Sequence, residues 1–215
     1  DSKWDVAELL NEEPETPSVR KSLQKAQQQQ LQKAGGLFKD VVYEEGKSGK
    51  AVRLGDYGLK LDEENLGKEY TDKTGGTLAE NQNVLFLGYH NPEKWLAVSG
   101  KKTGTNTCKI WENGNGYKWS TFWSPEIDTE GWHNITLSGK SGQVTAYVDG
   151  IKLGTHDSND PLDGENQGIY LGVTNWDAEF EGLVDEVNVY DIALTEKEVQ
   201  EQNKADYTQM LQEKL

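Results

Sequence analysis

Cysteine is almost missing from this chain. With Cys108 alone among 215 residues, no intrachain disulfide can form and no cysteine-rich zinc site can be built. That excludes a disulfide-stapled scaffold without excluding export. Basic residues are also scarce: 22 Lys and Arg stand against 37 Asp and Glu, giving a formal net charge of -15 and a pI near 4.6. Such a balance repels nucleic-acid phosphates and anionic headgroups, so no nucleic-acid partner is expected, and neutral sugars, cations or proteins remain. Apolar runs are short. None approaches the ~20 residues of a bilayer span, so no membrane insertion is expected, and no signal peptide begins at Asp1. We expect a soluble segment whose export signal lies outside it. The three histidines, His90, His133 and His156, are scattered. They show no His-x-x-x-His spacing, no pairing with the cysteine and no Ser-centred nucleophile elbow.

What is abundant is Gly, Asn, Thr and Trp, a composition that suits an exported bacterial module. Three segments follow one another. Residues 1–34 are rich in Glu, Gln and Lys. Thr16 fits an N-cap with Pro17 at the first helical position, and Val19, Leu23, Ala26, Leu31 and Ala34 recur at roughly helical spacing before Gly35-Gly36. Gln27 to Gln30 make the middle of that stripe polar, so a helix and a solvated linker both remain open. Residues 35–194 turn to short alternating runs. Ile135 and Leu137 alternate with polar neighbours, as do Val144, Ala146 and Val148, while Ile169, Leu171 and Val173 share one face. Asp149-Gly150 between two runs predicts a type I′ hairpin over Val144 to Leu153. Residues 195–215 return to helix, with Thr195 and Glu198 as a capping box. The two helical ends read as packed extensions or as linkers to neighbouring domains.

Gly131-Trp132-His133-Asn134-Ile135-Thr136, the run Val144 to Gly150, and Phe180-Glu181-Gly182-Leu183-Val184-Asp185-Glu186-Val187-Asn188-Val189-Tyr190 with Ala193-Leu194-Thr195 come in a fixed order. Upstream stands Glu45-Gly46-Lys47-Ser48-Gly49-Lys50-Ala51-Val52. Together these resemble the laminin-G-like branch of the concanavalin A-like lectin and glucanase superfamily, over about Gly35 to Thr195. The resemblance implies an all-β, concanavalin A-like (laminin-G-like) antiparallel β-sandwich or jelly roll, with helical N- and C-terminal extensions. Thr71 to Asn83 departs from the family pattern, being polar and Gly-rich, so a shortened or missing strand is expected there. The resemblance also places Trp132 in the core and makes His133 structural.

Asp185 is the sharpest single residue. Leu183, Val187 and Val189 share its parity, so simple alternation puts a carboxylate on a core-facing side, where it needs a cation or several N–H donors. The family resemblance implies a structural calcium near this last strand, with Asp185 as ligand and Asp5 and Asp40 as companions. Aromatic rings are the natural sugar contacts, because a pyranose presents C–H groups to an indole face while its hydroxyls seek amides and carboxylates. Trp95, Trp111, Trp119, Trp123 and Trp176 lie near Gly/Asn-rich segments. Trp176, beside Asn175 and Asp177, leads the carbohydrate-binding candidates, followed by Trp111 and Trp119, then Trp95. The E-x-D-x-x-E pattern that the resemblance would require of a retaining glucanase is absent; Glu179 and Glu181 have no Asp between them. The expectation is therefore a non-catalytic carbohydrate-binding module of a secreted multidomain bacterial glycoside hydrolase or surface protein, with a glycan and neighbouring domains as partners. The alternative is a structural or adhesion spacer without a sugar site.

Overall fold

The computed structural model describes residues 30–33, 42–47, 50–55, 57–61, 66–79, 82–88, 95–99, 109–114, 118–123, 130–164, 167–172 and 180–213. Fourteen strands among these residues form two seven-stranded sheets. The first sheet runs β1 (Gln30–Lys33), β4 (Tyr57–Leu61), β13 (Gly168–Leu171), β6 (Asn83–Gly88), β7 (Trp95–Ser99), β8 (Lys109–Gly114) and β9 (Lys118–Trp123) in spatial order. The second runs β12 (Ile151–Asp157), β11 (Gln143–Val148), β10 (Trp132–Lys140), β5 (Glu69–Thr77), β14 (Gly182–Tyr190), β3 (Lys50–Leu54) and β2 (Val42–Glu45). The strand pairs are antiparallel throughout. The chain crosses between sheets from β3 to β4, to β5 and to β6, so the fold is an antiparallel β-sandwich of the jelly-roll kind.

Period-2 alternation builds the interior. Leu85, Leu87, Leu96, Val98, Ile169 and Leu171 from the first sheet meet Val52, Leu54, Ile135, Leu137, Val144, Ala146 and Val148 from the second, in one buried cluster. Each such side chain withdrawn from water contributes about 1.5–3 kcal/mol before entropy is counted. Asp149 and Gly150 have φ of 52° and 75°, the left-handed pair that a type I′ turn requires. Ser141 and Gly142 repeat the device at φ 43° and 84° between β10 and β11.

Three expectations change. Gln30–Lys33, inside the segment read as helix or linker, is strand β1, paired with β4; its Gln-Leu-Gln alternation sets Leu31 opposite Leu59, a period of two. Second, the polar stretch after Tyr70 is a full nine-residue strand, β5, at the centre of the second sheet between β10 and β14. Its polar groups are bonded within the fold: Thr74 Oγ1 donates to Asp72 Oδ1 at 2.8 Å, and Thr71 Oγ1 donates to Ile192 O at 2.7 Å while accepting from Leu194 N at 2.9 Å. Third, Trp132 is half-buried rather than core, because its neighbours Ile135 and Leu137 take the inner parity and leave it on the other face, opposite Thr77.

The C-terminal segment forms α1 (Glu196–Glu213). Its start is the expected capping box: Thr195 N donates to Glu198 Oε2 at 2.7 Å and Glu198 N donates back to Thr195 Oγ1 at 3.4 Å. The Thr195 N–H, and then its hydroxyl at 2.7 Å from the same Glu198 Oε2, hold the Glu198 carboxyl below its ordinary value. The helix packs on the outer face of the second sheet, where Leu194 and Val199 join Tyr147 and Tyr190. Asn203 Nδ2 donates to Asp149 O at 2.9 Å, which fastens the helix to the β11–β12 turn.

Candidate functional site

Each sheet has one face turned away from the core; on the first sheet the described positions Phe86, Trp95 and Ala97 of that face are themselves buried, at 3%, 2% and 0% exposure. On the second sheet, α1 covers the part over Tyr147 and Tyr190. Beyond the helix contact, that face carries Asp185. A bulge between Asp185 and Asn188, with Glu186 at φ 54°, inserts one residue into β14. Parity therefore switches: Val184 faces the core before the bulge, and Val187 and Val189 after it. The core-facing expectation for Asp185 is corrected by that insertion. Asp185 stands opposite Gly75, on the outer side of β14, and is only 5% exposed.

Its carboxylate closes the bulge, since Glu186 N donates to Asp185 Oδ1 at 2.9 Å. The other oxygen lies against the β2–β3 turn, 2.5 Å from where a Cβ on Gly46 would stand. Glycine at 46 is thus required by the close approach, and two of the motifs singled out in the sequence meet here. Glu186 Oε2 is paired with Lys47 Nζ at 3.9 Å. Among the described residues, no three His, Cys, Asp or Glu side chains gather as a cation site. Asp5 and Asp40 lie outside the described residues. The Asp185 carboxylate is thus buried and takes a backbone donor at the bulge.

His133 belongs to a different cluster. Its Nδ1 is 2.7 Å from Asp149 Oδ2 and its Nε2 is 3.1 Å from Glu130 O. Asp149 Oδ1 also accepts from Asn134 N at 2.8 Å. The β11–β12 turn, the start of β10 and α1 are tied through this one aspartate.

The outer face of the first sheet is built differently. Leu96 and Val98 point into the core, so the alternate positions of β7, Trp95, Ala97 and Ser99, belong to the outer face. Cross-strand register extends that face in rows. Tyr170, Phe86, Ala97, Trp111 and Thr121 stand opposite one another across β13, β6, β7, β8 and β9. Gly88, Trp95, Asn113 and Trp119 form the next row, and Ser99, Lys109 and Trp123 the one on the other side. Three of the four tryptophans proposed for sugar contact, Trp95, Trp111 and Trp119, thus occupy positions on one face of adjacent strands, and Trp123 joins them. Adjacent strands are about 4.8 Å apart, so positions two strands apart are separated by about 10 Å.

Trp95 is not a loop residue. It begins β7, is 2% exposed, and stacks on Phe86 with ring centroids 5.9 Å apart and planes inclined by 21°. Phe86 in turn meets Tyr170 edge-on at 5.7 Å. These rings form an aromatic base beside β8 and β9, and the buried Trp95 presents little ring face to a ligand. Trp176 and Asn175 lie outside the described residues. Alternation within β8 and β9 was the signal in the sequence for the shared face, but it becomes readable only once register joins the two strands.

Residues 76–200 match a laminin-G-type family model described as the concanavalin A-like lectin/glucanases superfamily. No curated protein matches the chain. Among solved structures, the sandwich is similar to domain 4 of AbnA, a GH43 extracellular arabinanase from Geobacillus stearothermophilus, in complex with arabinotriose. The TM-score is 0.68 with 24% identity over 80% of this chain and 86% of that one. It is similar to the CBM40 module of the Ruminococcus gnavus IT-sialidase bound to α2,3-sialyllactose, at TM-score 0.55 and 16% identity over 77% of this chain and 97% of that one. A third similar structure is the binding domain of Paraclostridial Mosquitocidal Protein 1, with TM-score 0.59 and 15% identity, covering 87% of this chain and 51% of that one. At these identities the likeness is one of fold.

Proposed function

The chain belongs to the concanavalin A-like lectin/glucanases superfamily, and from that membership we propose that it is a non-catalytic carbohydrate-binding module of a secreted bacterial glycoside hydrolase or surface protein. The observation that carries the reading is the register of the first sheet, which sets Trp111, Trp119 and Trp123 on the face shared with Trp95. Tryptophan positions on neighbouring strands are the residue type that suits the C–H faces of successive sugars in one chain, and the Asn113 position between two of them is of a type that suits sugar hydroxyls. Sugar-binding neighbours of the same fold support the reading. Tethering through such a module raises the local concentration of an attached enzyme on its glycan. That the module is non-catalytic is part of the proposal and is supported by the absence of the E-x-D-x-x-E pattern from the sequence. Among the described residues, no helix is long and apolar enough to cross a membrane.

A glycan array probed with the wild type, Trp119→Ala and Trp176→Ala tests the module. Binding that Trp119→Ala reduces about tenfold or more supports the sheet face; loss in Trp176→Ala alone moves the site to the 173–179 segment. The burial of Trp95 favours one competing reading, a spacer or adhesion module whose tryptophans serve packing, and silence across plant, mucin and microbial glycans would establish it. A structural calcium at Asp185 is a separate proposal. It would tie the last strand to the β2–β3 turn, with Asp5 and Asp40 needed to supplement the single described carboxylate. A melting temperature raised by calcium and lowered by chelator in the wild type, and unmoved in Asp185→Ala, supports it; an unmoved wild-type melt removes it.

A further inference from the structure

We propose that His133 is a pH-sensitive clamp: as an imidazolium it fastens the β11–β12 turn, and through that turn α1, to the start of β10, and the clamp slackens when the ring loses its proton. Where a sugar binds has no bearing on it. Both ring nitrogens face acceptors, Nδ1 the Asp149 carboxylate at 2.7 Å and Nε2 the Glu130 carbonyl at 3.1 Å. A neutral imidazole carries one N–H and cannot donate to both. Asp149 is engaged on both oxygens, since Oδ1 accepts from Asn134 N at 2.8 Å, which suits its ionised form. The arrangement is that of a doubly protonated ring against a carboxylate, a setting in which hydrogen bonds are roughly twice as strong as neutral ones.

Burial works against a charged ring, and a carboxylate in contact works for it. The His133 side chain is 8% exposed against 41% for Asp149, so water does not readily replace a bond that the ring gives up. On deprotonation the remaining N–H stays with the carboxylate, and the Nε2 lone pair is left facing the Glu130 oxygen. The same aspartate holds the helix, because Asn203 Nδ2 donates to Asp149 O at 2.9 Å. Carboxylate and carbonyl belong to one turn residue at φ 52°, so a change at the first is passed to the second. From the described elements, the groups at the ring are the Asp149 carboxylate and the Glu130 carbonyl; Gly76, opposite on β5, has no side chain, and α1 contributes the neutral Asn203. The charged pair between helix and hairpin, Glu196 with Lys152 at 3.6 Å, sits at the helix start, about two turns from Asn203. His156 stands opposite Val144, at the other end of β11 from the turn. Stability from a clamp that needs the proton is present in mild acid and is lost as pH rises through the imidazole range, about 6.5 in an ordinary setting.

The test follows the ¹⁵N-labelled full chain from about pH 5.5 to about pH 8.5, a window centred on imidazole titration. Tyr147, raised above 10.0, titrates outside it. The ring nitrogens of His133, assigned by their loss in His133→Gln, should both read as protonated at the acid end, and Nε2 should lose that signature as pH rises. In parallel, hydrogen-exchange protection of the α1 amides from Val199 to Asn203, corrected for the intrinsic pH dependence of exchange, should be about fivefold to tenfold higher at the acid end. Asp149→Asn keeps a residue type that tolerates the left-handed turn but removes the carboxylate, and it should flatten that dependence. A His133 ring that keeps one protonation state across the window, or α1 protection whose pH dependence is the same in wild type and Asp149→Asn, overturns the clamp. The wild-type ring titration and α1 protection should also share one midpoint; this needs no stable variant, and separate midpoints overturn the clamp as well.

Discussion

At the scale of single residues, Asp185 shows both the reach and the limit of reading parity. Strict alternation sets it beside Leu183, Val187 and Val189, but β14 contains one extra residue, and the left-handed Glu186 marks the insertion. Bulges leave no reliable trace in a run of alternating residues, because Glu is an uncommon choice for positive φ. That the carboxylate needs partners was legible; which face it occupies was not. Asp185→Ala is expected to cost about 1–3 kcal/mol in urea unfolding, since the N–H of Glu186 loses its acceptor in a buried setting. Asp185→Asn, which retains an acceptor, should cost less, and an Ala variant as stable as wild type would show the bond to be idle. Glu198 gives a second check. Its carboxyl is lowered from 4.5 chiefly by the backbone N–H of Thr195, then by its hydroxyl. A lowered folded value means that the stabilisation is complete above 4.5 and fades as pH falls through the lower folded value. Acid unfolding of Glu198→Ala, which removes the titrating carboxylate, should therefore approach that of wild type at low pH, with the difference largest near neutrality at up to about 1 kcal/mol.

At the scale of elements, β5 and α1 are the informative cases. Glu69–Thr77 has little apolar alternation, so its composition argued for a shortened or missing strand, whereas its position inside the sheet supplies ladder partners on both sides. Context overrides propensity there, as is usual for central strands. Gly75 fits because a Cβ would lie 2.7 Å from the carbonyl oxygen of Asp185. Gly75→Ala should force β5 and β14 apart and cost about 1–3 kcal/mol, while Gly55→Ala, with nothing within 4 Å of its added Cβ, should be nearly neutral. Equal melting temperatures for the two variants would contradict that packing. The capping box of α1 was plain in the sequence, but its docking surface was not, because Tyr147, Tyr190 and Val199 are brought together only by the sheet. Burial, then the charge of Glu196, raises the Tyr147 hydroxyl above its ordinary 10.0. With the folded value raised, this contribution is present below pH 10 and is lost as pH climbs through the folded value. Alkaline loss of helical circular dichroism should precede loss of the sheet signal, and Tyr147→Phe should delay it.

At the scale of the whole molecule, the superfamily was legible because its motifs fall at turns and strand ends that local chemistry dictates: Asp149-Gly150 at a hairpin, Gly46 against Asp185, and Thr195 at a helix start. The shared face was not, because a row across five strands joins residues as far apart as Phe86 and Tyr170, and no local pattern reports such a neighbour. The two outer faces differ: one holds a helix on two tyrosines, and on the other register gathers tryptophan positions beside the buried Trp95. The most direct test of this division is a set of ¹⁵N-labelled spectra recorded while a bound glycan is titrated, with indole N–H signals assigned by single Trp→Phe variants. The account predicts that Trp111, Trp119 and Trp123 shift together while Val199 and Asn203 of α1 stay still; shifts confined to α1 and the second sheet, with those three indoles unmoved, would contradict it.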